Sequence, residues 1–472
     1  MSEVVVFRKR RGSEAFMMLM ALALGTGGYL LTSLDMNGSL PAGWPVPVVI
    51  MVGLALVAHL VVRWRIPYAD PLILPLVLAL NGVGLAMIHR LDLVTTPPGT
   101  SAQLQLVWTA VAVAAFCIVV LVLRDYEVLH RYTYLLFLAG MVLLLLPLIP
   151  GLGSTRNGAR IWIHLGQYTF QPSEAAKIIL AIAFASYLVD KKDVLALAGK
   201  RVLGIDLPRP RDLGPILLMW LASLAVLVFQ NDLGTSLLFF GLFVMMLYVA
   251  TERPSWPILG TVLFVVGAYA AYLFVGHVQV RVSAWLDPFS NYDQNYQIIQ
   301  AQFGQAWGGL FGTGWGLGRP GLTPLAKSDF IAASINEELG VVGLLAIMVI
   351  YALLVARGLR AALGSRDPFG KLLAAGLSFS VALQVFAILG GVTRLLPLTG
   401  LTTPFMSQGG SSLVANWAMA GLLMVITHQC RRPAPAIENP MVSLASDTTQ
   451  IVALPVVAVD DASASDPQGA AV

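Results

Sequence analysis

The sequence predicts an all-α integral membrane protein, a polytopic bundle of about 12 transmembrane helices with one large extracytoplasmic loop. Three observations carry this reading. Hydrophobic residues make up 57% of the 472-residue chain and charged residues only 11%, where soluble domains carry roughly 25% charge. Apolar runs long enough for a helix to cross a hydrocarbon core of about 30 Å recur along most of the sequence. Lys and Arg collect in alternate connections, as they do in cytoplasmic loops.

The runs lie near residues 15–34, 45–63, 69–88, 105–123, 132–149, 173–189, 214–230, 233–250, 257–275, 339–356, 372–390 and 410–428. Only Gln230, Asn231 and Asp232 separate the seventh from the eighth, so one long kinked helix is the alternative there. The first run follows Arg8, Lys9, Arg10 and Arg11 and has no small-residue cleavage site before Asp35, which reads as a retained anchor rather than a signal peptide. Arg63, Arg65, Arg124 and Arg131, then Lys191, Lys192, Lys200, Arg201, Arg209 and Arg211, then Arg357, Arg360, Arg366 and Lys371, and finally Arg431 and Arg432 all fall on one side if twelve helices cross. Both termini are therefore expected in the cytoplasm. The net charge of +4 then reflects topology and contact with anionic membrane lipids, with no nucleic acid as partner.

The organisation expected is a tail with two helices over 1–68, a core over 69–430 carrying the outer loop 276–338, and a disordered cytoplasmic tail over 431–472, rich in Ala, Val, Ser, Asp and Pro. Cys117 lies inside a run and Cys430 at a cytoplasmic end, so no disulfide is expected between them, and no metal-ligand spacing is present.

The outer segments hold the candidate chemistry. The stretch G-L-G-S-T-R-N-G-A-R-I-W-I-H-L-G-Q-Y-T-F-Q-P-S-E-A-A-K places Arg156 and Arg160 where positive charge is scarce, which suits an anionic partner such as phosphate. Trp162 and Tyr168 suit the headgroup level. Pro172 and Ser173 open a helix with Glu174 and Lys177 on one face. Those residues also have a structural reading, in which Ser173 caps, Glu174 complements the helix dipole and Lys177 snorkels or pairs with Glu174. Asp232, in Q-N-D-L-G-T, is either a helix cap or an intramembrane functional carboxylate.

In the large loop, Arg281 and Lys327 are phosphate-binding candidates and Asp287, Asp293 and Asp329 acid or base candidates. Its run W-G-G-L-F-G-T-G-W-G-L-G-R-P follows no strand, so close packing of a re-entrant segment is expected there and a nucleotide loop is not. Glu337 and Glu338 open the next helix. The last outer connection, G-G-V-T-R-L-L-P-L-T-G-L-T-T-P-F-M-S-Q-G-G-S-S-L, adds Arg394 and reads as irregular backbone buried in protein or lining a polar cavity.

Taken in order and spacing, the blocks G-A-R-I-W-I with Q-P-S-E-A-A-K, Q-N-D-L-G-T, K-S-D-F-I, N-E-E-L-G and L-P-L-T-G-L-T-T-P-F-M-S-Q-G-G-S-S resemble the FtsW/RodA/SpoVE (SEDS) family over about residues 70–428. The resemblance implies a peptidoglycan glycosyltransferase that polymerises lipid II on the outer face of the bacterial cytoplasmic membrane and works with a class B penicillin-binding protein. Glu174, Lys177, Asp232 and Asp329 match family motif positions. The chain departs where Asn231 replaces proline, Ser328 threonine and Gln408 tyrosine. At the place of the family's loop carboxylate stands Asn291, which leaves Asp293 as the first candidate for the role and Asp287 as the second.

The reaction so implied needs a carboxylate as general base for the attacking sugar hydroxyl. It also needs Arg, Lys or a divalent cation, Mg²⁺ or Mn²⁺, for the departing polyprenyl pyrophosphate. One carboxylate acting from the face opposite the leaving group implies inversion. The alternatives are a lipid II flippase or other transporter, which needs polar residues through the depth of the bundle, and a non-catalytic scaffold of the cell-wall synthesis complex.

Overall fold

The computed structural model describes residues 9–433, apart from 96, 157, 167, 197–199, 203–204 and 208–209. The tail from residue 434 lies outside the described residues, as do Arg8 and Arg209 and the side chains of Arg156, Tyr168, Lys200, Arg201 and Arg211.

Each apolar run forms a helix. In chain order these are α1 (Arg11–Asn37), α2 (Pro45–Arg65), α3 (Ile73–Asp92), α4 (Ser101–Val122), α5 (Thr133–Leu145), α6 (Pro172–Ala196), α7 (Pro210–Phe229), α8 (Leu233–Thr251) and α9 (Ser255–Phe274). Two helices of the large loop follow, α10 (Gly276–Leu286) and α11 (Tyr292–Gly308), and then α12 (Ile331–Gly364), α13 (Pro368–Val392) and α14 (Gly410–Arg431). Among the described residues eleven helices are long and apolar enough to span a bilayer, and α7 has a shorter apolar stretch, Leu217–Phe229. The chain is a multi-pass membrane protein.

Helices α3, α6, α13 and α14 are buried over most of their spans, whereas α9 is exposed almost throughout. The first four form the centre of the bundle, and the exposed apolar faces of the others meet lipid. Small residues permit the closest crossings. Where α1 meets α3, a Cβ added at Gly25 would stand 2.7 Å from the Gly82 Cα. The base of α1 is pinned by a buried charge cluster in which Arg11 pairs with Glu14 and donates to the Pro67 and Ala69 carbonyls, while Glu14 Oε1 meets His59 Nδ1 of α2 at 2.9 Å.

Two small sheets were not foreseen. Residues 153–170 form a three-stranded antiparallel sheet of β1 (Gly153–Arg156), β2 (Ala159–Leu165) and β3 (Tyr168–Phe170). Its turn glycines, Gly158 and Gly166, have φ of 80° and 65°, and R-I-W-I-H-L over β2 alternates apolar and polar residues with the strand period of two. A second small hairpin joins β4 (Lys200–Val202) and β5 (Ile205–Leu207). The glycine run behaves as the expected re-entrant segment. Thr313 and Gly314 N–H groups donate to the Glu337 and Glu338 carbonyls, and Val341 and Val342 donate back to Gly309 and Leu310. Helix α12 accommodates this by leaving helical geometry at Gly340, where φ is 70°.

The seventh and eighth runs are separate helices. Asn231 reverses the chain with φ 60°, a left-handed conformation that Asn tolerates better than most residues. Asp232 then caps α8 by accepting from the Thr235 N–H at 3.0 Å. Proline, fixed near φ −65°, does not fit this backbone, so the departure at Asn231 is a change of conformation as well as of side chain. Asn231→Pro should lower stability by more than about 1 kcal/mol, while Asn231→Gly stays within about 1 kcal/mol of the parent. Thermal unfolding in detergent checks this, and a proline variant as stable as the parent would contradict the turn described.

Candidate active site at the end of the bundle opposite the basic connections

The site grows from the start of α6. Gln171 and Ser173 bond each other just ahead of it at 3.1 Å, and Glu174 and Lys177 then face the bundle interior, both buried. Lys177 Nζ donates to Glu174 Oε2 at 3.1 Å and to Gln384 Oε1 of α13 at 2.8 Å. Gln384 Nε2 in turn donates to the Thr402 carbonyl at 2.8 Å, and the Thr402 hydroxyl reaches Ser412 of α14 at 2.9 Å. Each member of this buried chain satisfies the next, which makes such a network tolerable in a low-dielectric interior. Snorkelling is thereby excluded for Lys177, whose charge stays inside.

Asp232 arrives from α8. One carboxylate oxygen caps the helix, and Oδ2 is buried with no hydrogen-bond partner among the described residues. Burial pushes its pKa up, the Glu174 charge adds to this, and Thr235 and Arg281 oppose it.

Arg281 comes from α10 and donates through Nη1 to the Leu398 and Thr399 carbonyls, 2.9 Å each. Its Nε and Nη2 have no hydrogen-bond partner among the described residues, and it stands within electrostatic reach of Asp329 and Asp232. Burial raises the Asp329 carboxyl to about 6 against the opposing pull of Ser328 and Arg281. Glu174, Lys177, Asp232, Arg281 and Asp329 are therefore brought together around residues 398–402.

The other candidates sit differently. Lys327 pairs with Asp92 at 2.5 Å and bonds Ser101 at 3.1 Å. Asp92 also caps α4 by accepting from the Ala102 N–H at 2.7 Å, so this cation ties the loop to α3 and α4. Arg394, at φ 60°, donates to the Trp285 and Leu286 carbonyls and accepts from Trp285 Nε1 at 3.0 Å, which locks the end of α10 to the last connection. Arg160, near the start of the central strand β2, donates to the Ile149 carbonyl at 3.3 Å. Glu337 and Glu338 hold the glycine run: Glu338 pairs with Arg90 at 2.6 Å and accepts from the Gly316 N–H, and Glu337 accepts from the Arg319 N–H.

The loop carboxylates are exposed. Asp287 caps the short 3-10 turn Pro288–Asn291 by accepting from the Phe289 N–H at 3.2 Å. Asn291 caps α11 and accepts from the Gln294 N–H at 3.2 Å. Asp293 lies in the first turn of α11 and makes no hydrogen bond or ion pair among the described residues, so it is the freer of the two carboxylates. No bond links either to the buried cluster.

Sequence reasoning missed Gln384, Gln105, Asp92 and Arg90. The signal existed, since an amide or charge inside an apolar run is a functional hypothesis by default.

The family model described as "Cell cycle protein", covering FtsW, RodA and SpoVE, matches residues 71–432. The chain belongs to the FtsW/RodA/SpoVE family. Peptidoglycan glycosyltransferase RodA of Mycobacterium tuberculosis is 46% identical over 454 residues, which covers 94% of this chain and 96% of that protein. Among solved structures, a chain of a peptidoglycan synthase complex in which polymerisation and crosslinking are coordinated superposes with a TM-score of 0.61 at 26% identity, over 77% of this chain and 99% of that one. Thermus thermophilus rod shape determining protein RodA gives a TM-score of 0.55 at 26% identity, over 79% and 100%.

The Asp329 environment predicts a pH dependence. The folded chain holds this proton with a pKa of about 6 against an ordinary value of 3.8, so it binds the proton more tightly than the unfolded chain does. Stability must then fall as pH rises across that window. Thermal unfolding of Asp329→Asn against the parent over this range should show the parent losing stability relative to the variant. Parallel curves would contradict the buried setting.

Proposed function

We propose that this chain is a peptidoglycan glycosyltransferase that polymerises lipid II, with its site on the outer face of the bacterial cytoplasmic membrane and both termini inside. The observation that carries this reading is the cluster of buried Lys177–Glu174 and Asp232 with half-buried Arg281 and Asp329 at one end of the bundle, in a chain 46% identical over nearly its whole length to a protein named peptidoglycan glycosyltransferase RodA. The Lys and Arg connections at the opposite end support the orientation. The similarity to a rod shape determining protein supports a part in elongation of the cell.

In the mechanism we favour, the acceptor sugar hydroxyl gives its proton to a carboxylate as its oxygen attacks the donor's anomeric carbon, and the bond to pyrophosphate breaks with inversion. Asp293 is the base of first choice because its carboxylate is exposed and unengaged, whereas Asp287 is occupied as a cap. The amide at Asn291 caps α11 as a carboxylate would, but it cannot take the proton. Arg281, with Nε and Nη2 free, meets the charge that grows on the leaving pyrophosphate. Lys327 is already neutralised by Asp92 and contributes less. Among the described residues no three His, Cys, Asp or Glu gather to cage a metal. Asp232, whose Oδ2 has no partner among the described residues, and Asp329 would be the carboxylates to hold a Mg²⁺ or Mn²⁺ ion, which would supply further positive charge for the leaving group. A class B penicillin-binding protein is the partner we assign, supported by the synthase-complex neighbour, which joins polymerisation to crosslinking.

Purified protein with labelled lipid II should yield glycan chains. Asp293→Asn should cut the rate by about 10²-fold or more, with a smaller loss for Asp287→Asn. Near-normal rates in the first with loss in the second would move the base to Asp287, and leaflet transfer without chains would establish the transporter instead. Arg281→Gln should impair use of lipid II more than Lys327→Gln, and equal effects would contradict the pairing argument. For orientation, a single cysteine at Ser290 should react with an impermeant thiol reagent in intact cells and one at Ser365 should not.

A further inference from the structure

A polar cavity lies far from this cluster, at the opposite end of the bundle. The last turns of α6, around Lys192, and the end of α8 at Thr251 lie there, and α13 begins there at Pro368. These ends and the α12–α13 turn enclose a cavity of about 380 Å³, within the size range of small-molecule sites. Leu188, Val189, Val249 and Leu372 form an apolar part of its wall, beside Thr251 and Ser365. Its rim carries three cations, Lys192, Arg366 and Lys371.

The charge balance at this rim is uneven. Asp367 is committed to α13, accepting from the Phe369 and Gly370 N–H groups at 3.2 and 2.6 Å. Glu252 meets Lys371 at 3.5 Å, but both side chains are well exposed, so this pair is weak. Lys192 and Arg366 have no ion pair or hydrogen bond among the described residues. Two uncommitted cations over a cavity with apolar residues in its wall, at the end of membrane spans, match a phosphate diester joined to acyl chains better than a free phosphate, because a free ion gains nothing from those apolar residues.

We infer that this cavity binds the phosphate-bearing headgroup of an anionic phospholipid from the leaflet on the basic side. The choice of leaflet rests on the orientation proposed above, and the binding does not. None of the residues that polymerise lipid II in the proposed mechanism takes part.

The test uses the full chain in phosphatidylcholine nanodiscs titrated with phosphatidylglycerol, with bound lipid counted by native mass spectrometry. A basic residue near an anionic lipid surface contributes enough that losing Lys192 to Gln should weaken retention roughly fivefold, and Lys192→Gln with Arg366→Gln about thirtyfold. Lys192→Arg should retain lipid as the parent does, which separates loss of charge from misfolding. Arg63→Gln, at the end of α2 and outside the cavity, should have little effect, and a loss there equal to that of Lys192→Gln would overturn the site as ordinary surface charge. Inorganic phosphate and glycerol 3-phosphate should fail to displace the lipid. Displacement by either at comparable concentration would assign the cavity to a soluble phosphate and overturn the lipid as its source. The count needs no turnover, so a chain inactive toward lipid II still reports on this site.

Discussion

Backbone that leaves helical geometry at membrane depth must find its hydrogen-bond partners inside the protein, and in this chain that demand falls on the connection between α13 and α14. Its carbonyls and amides are met one by one from the surrounding helices. Arg281 takes the Leu398 and Thr399 carbonyls, Gln384 that of Thr402, Tyr351 that of Pro404, Asn81 that of Phe405 and Gln105 that of Ser407. The Gly409 N–H donates to Gln105 Oε1, and that of Gln408 to the Lys327 carbonyl. Side chains of α3, α4, α10, α12 and α13 thus converge on one segment because it has no ladder of its own.

The charges of the site follow from the same constraint. Lys177 is buried between Glu174 and Gln384, and Gln384 already spends its amide on the connection, so backbone satisfaction and charge placement share one network. Removing a single partner from such a network leaves a buried polar group exposed to the full cost of desolvation. Close packing adds to the rigidity. A Cβ at Gly234, in the first turn of α8, would stand 2.7 Å from the Thr399 carbonyl, so α8 delivers Asp232 to the connection only because a glycine follows it so closely. The groups without a partner among the described residues, Arg281 Nε and Nη2 and the exposed Asp293 carboxylate, belong to α10 and α11 of the large loop and take no part in this frame.

Much of this was legible in the sequence, for identifiable reasons. Eleven of the twelve expected spans follow from length and hydropathy alone, and the seventh run gives a helix with only a shorter apolar stretch, Leu217–Phe229. The strands of residues 153–170 were hidden because their three to seven residues stand between far stronger helical signals, although the period of two in Ile161, Ile163 and Leu165 was readable. Helix α11 was hidden because it has few apolar residues and packs with Asn295 and Ala301 beside Ile298 and Ile299. The charged members of the site were visible as exceptions in an apolar chain. Their partners were not, because Lys327 finds Asp92 across 235 positions and Lys177 finds Gln384 across 207, and such pairings exist only once the bundle has closed.

The central claim is that this connection and the helices serving it build a site for a polyprenyl pyrophosphate donor beside a loop carboxylate. A structure of the full chain with a non-hydrolysable lipid II analogue tests it most directly. The account predicts pyrophosphate oxygens within hydrogen-bond distance of Arg281 Nε and Nη2, with the acceptor hydroxyl at Asp293. Pyrophosphate held elsewhere, at Arg160 on β2 for example, with Arg281 still bound only to the Leu398 and Thr399 carbonyls, would contradict it.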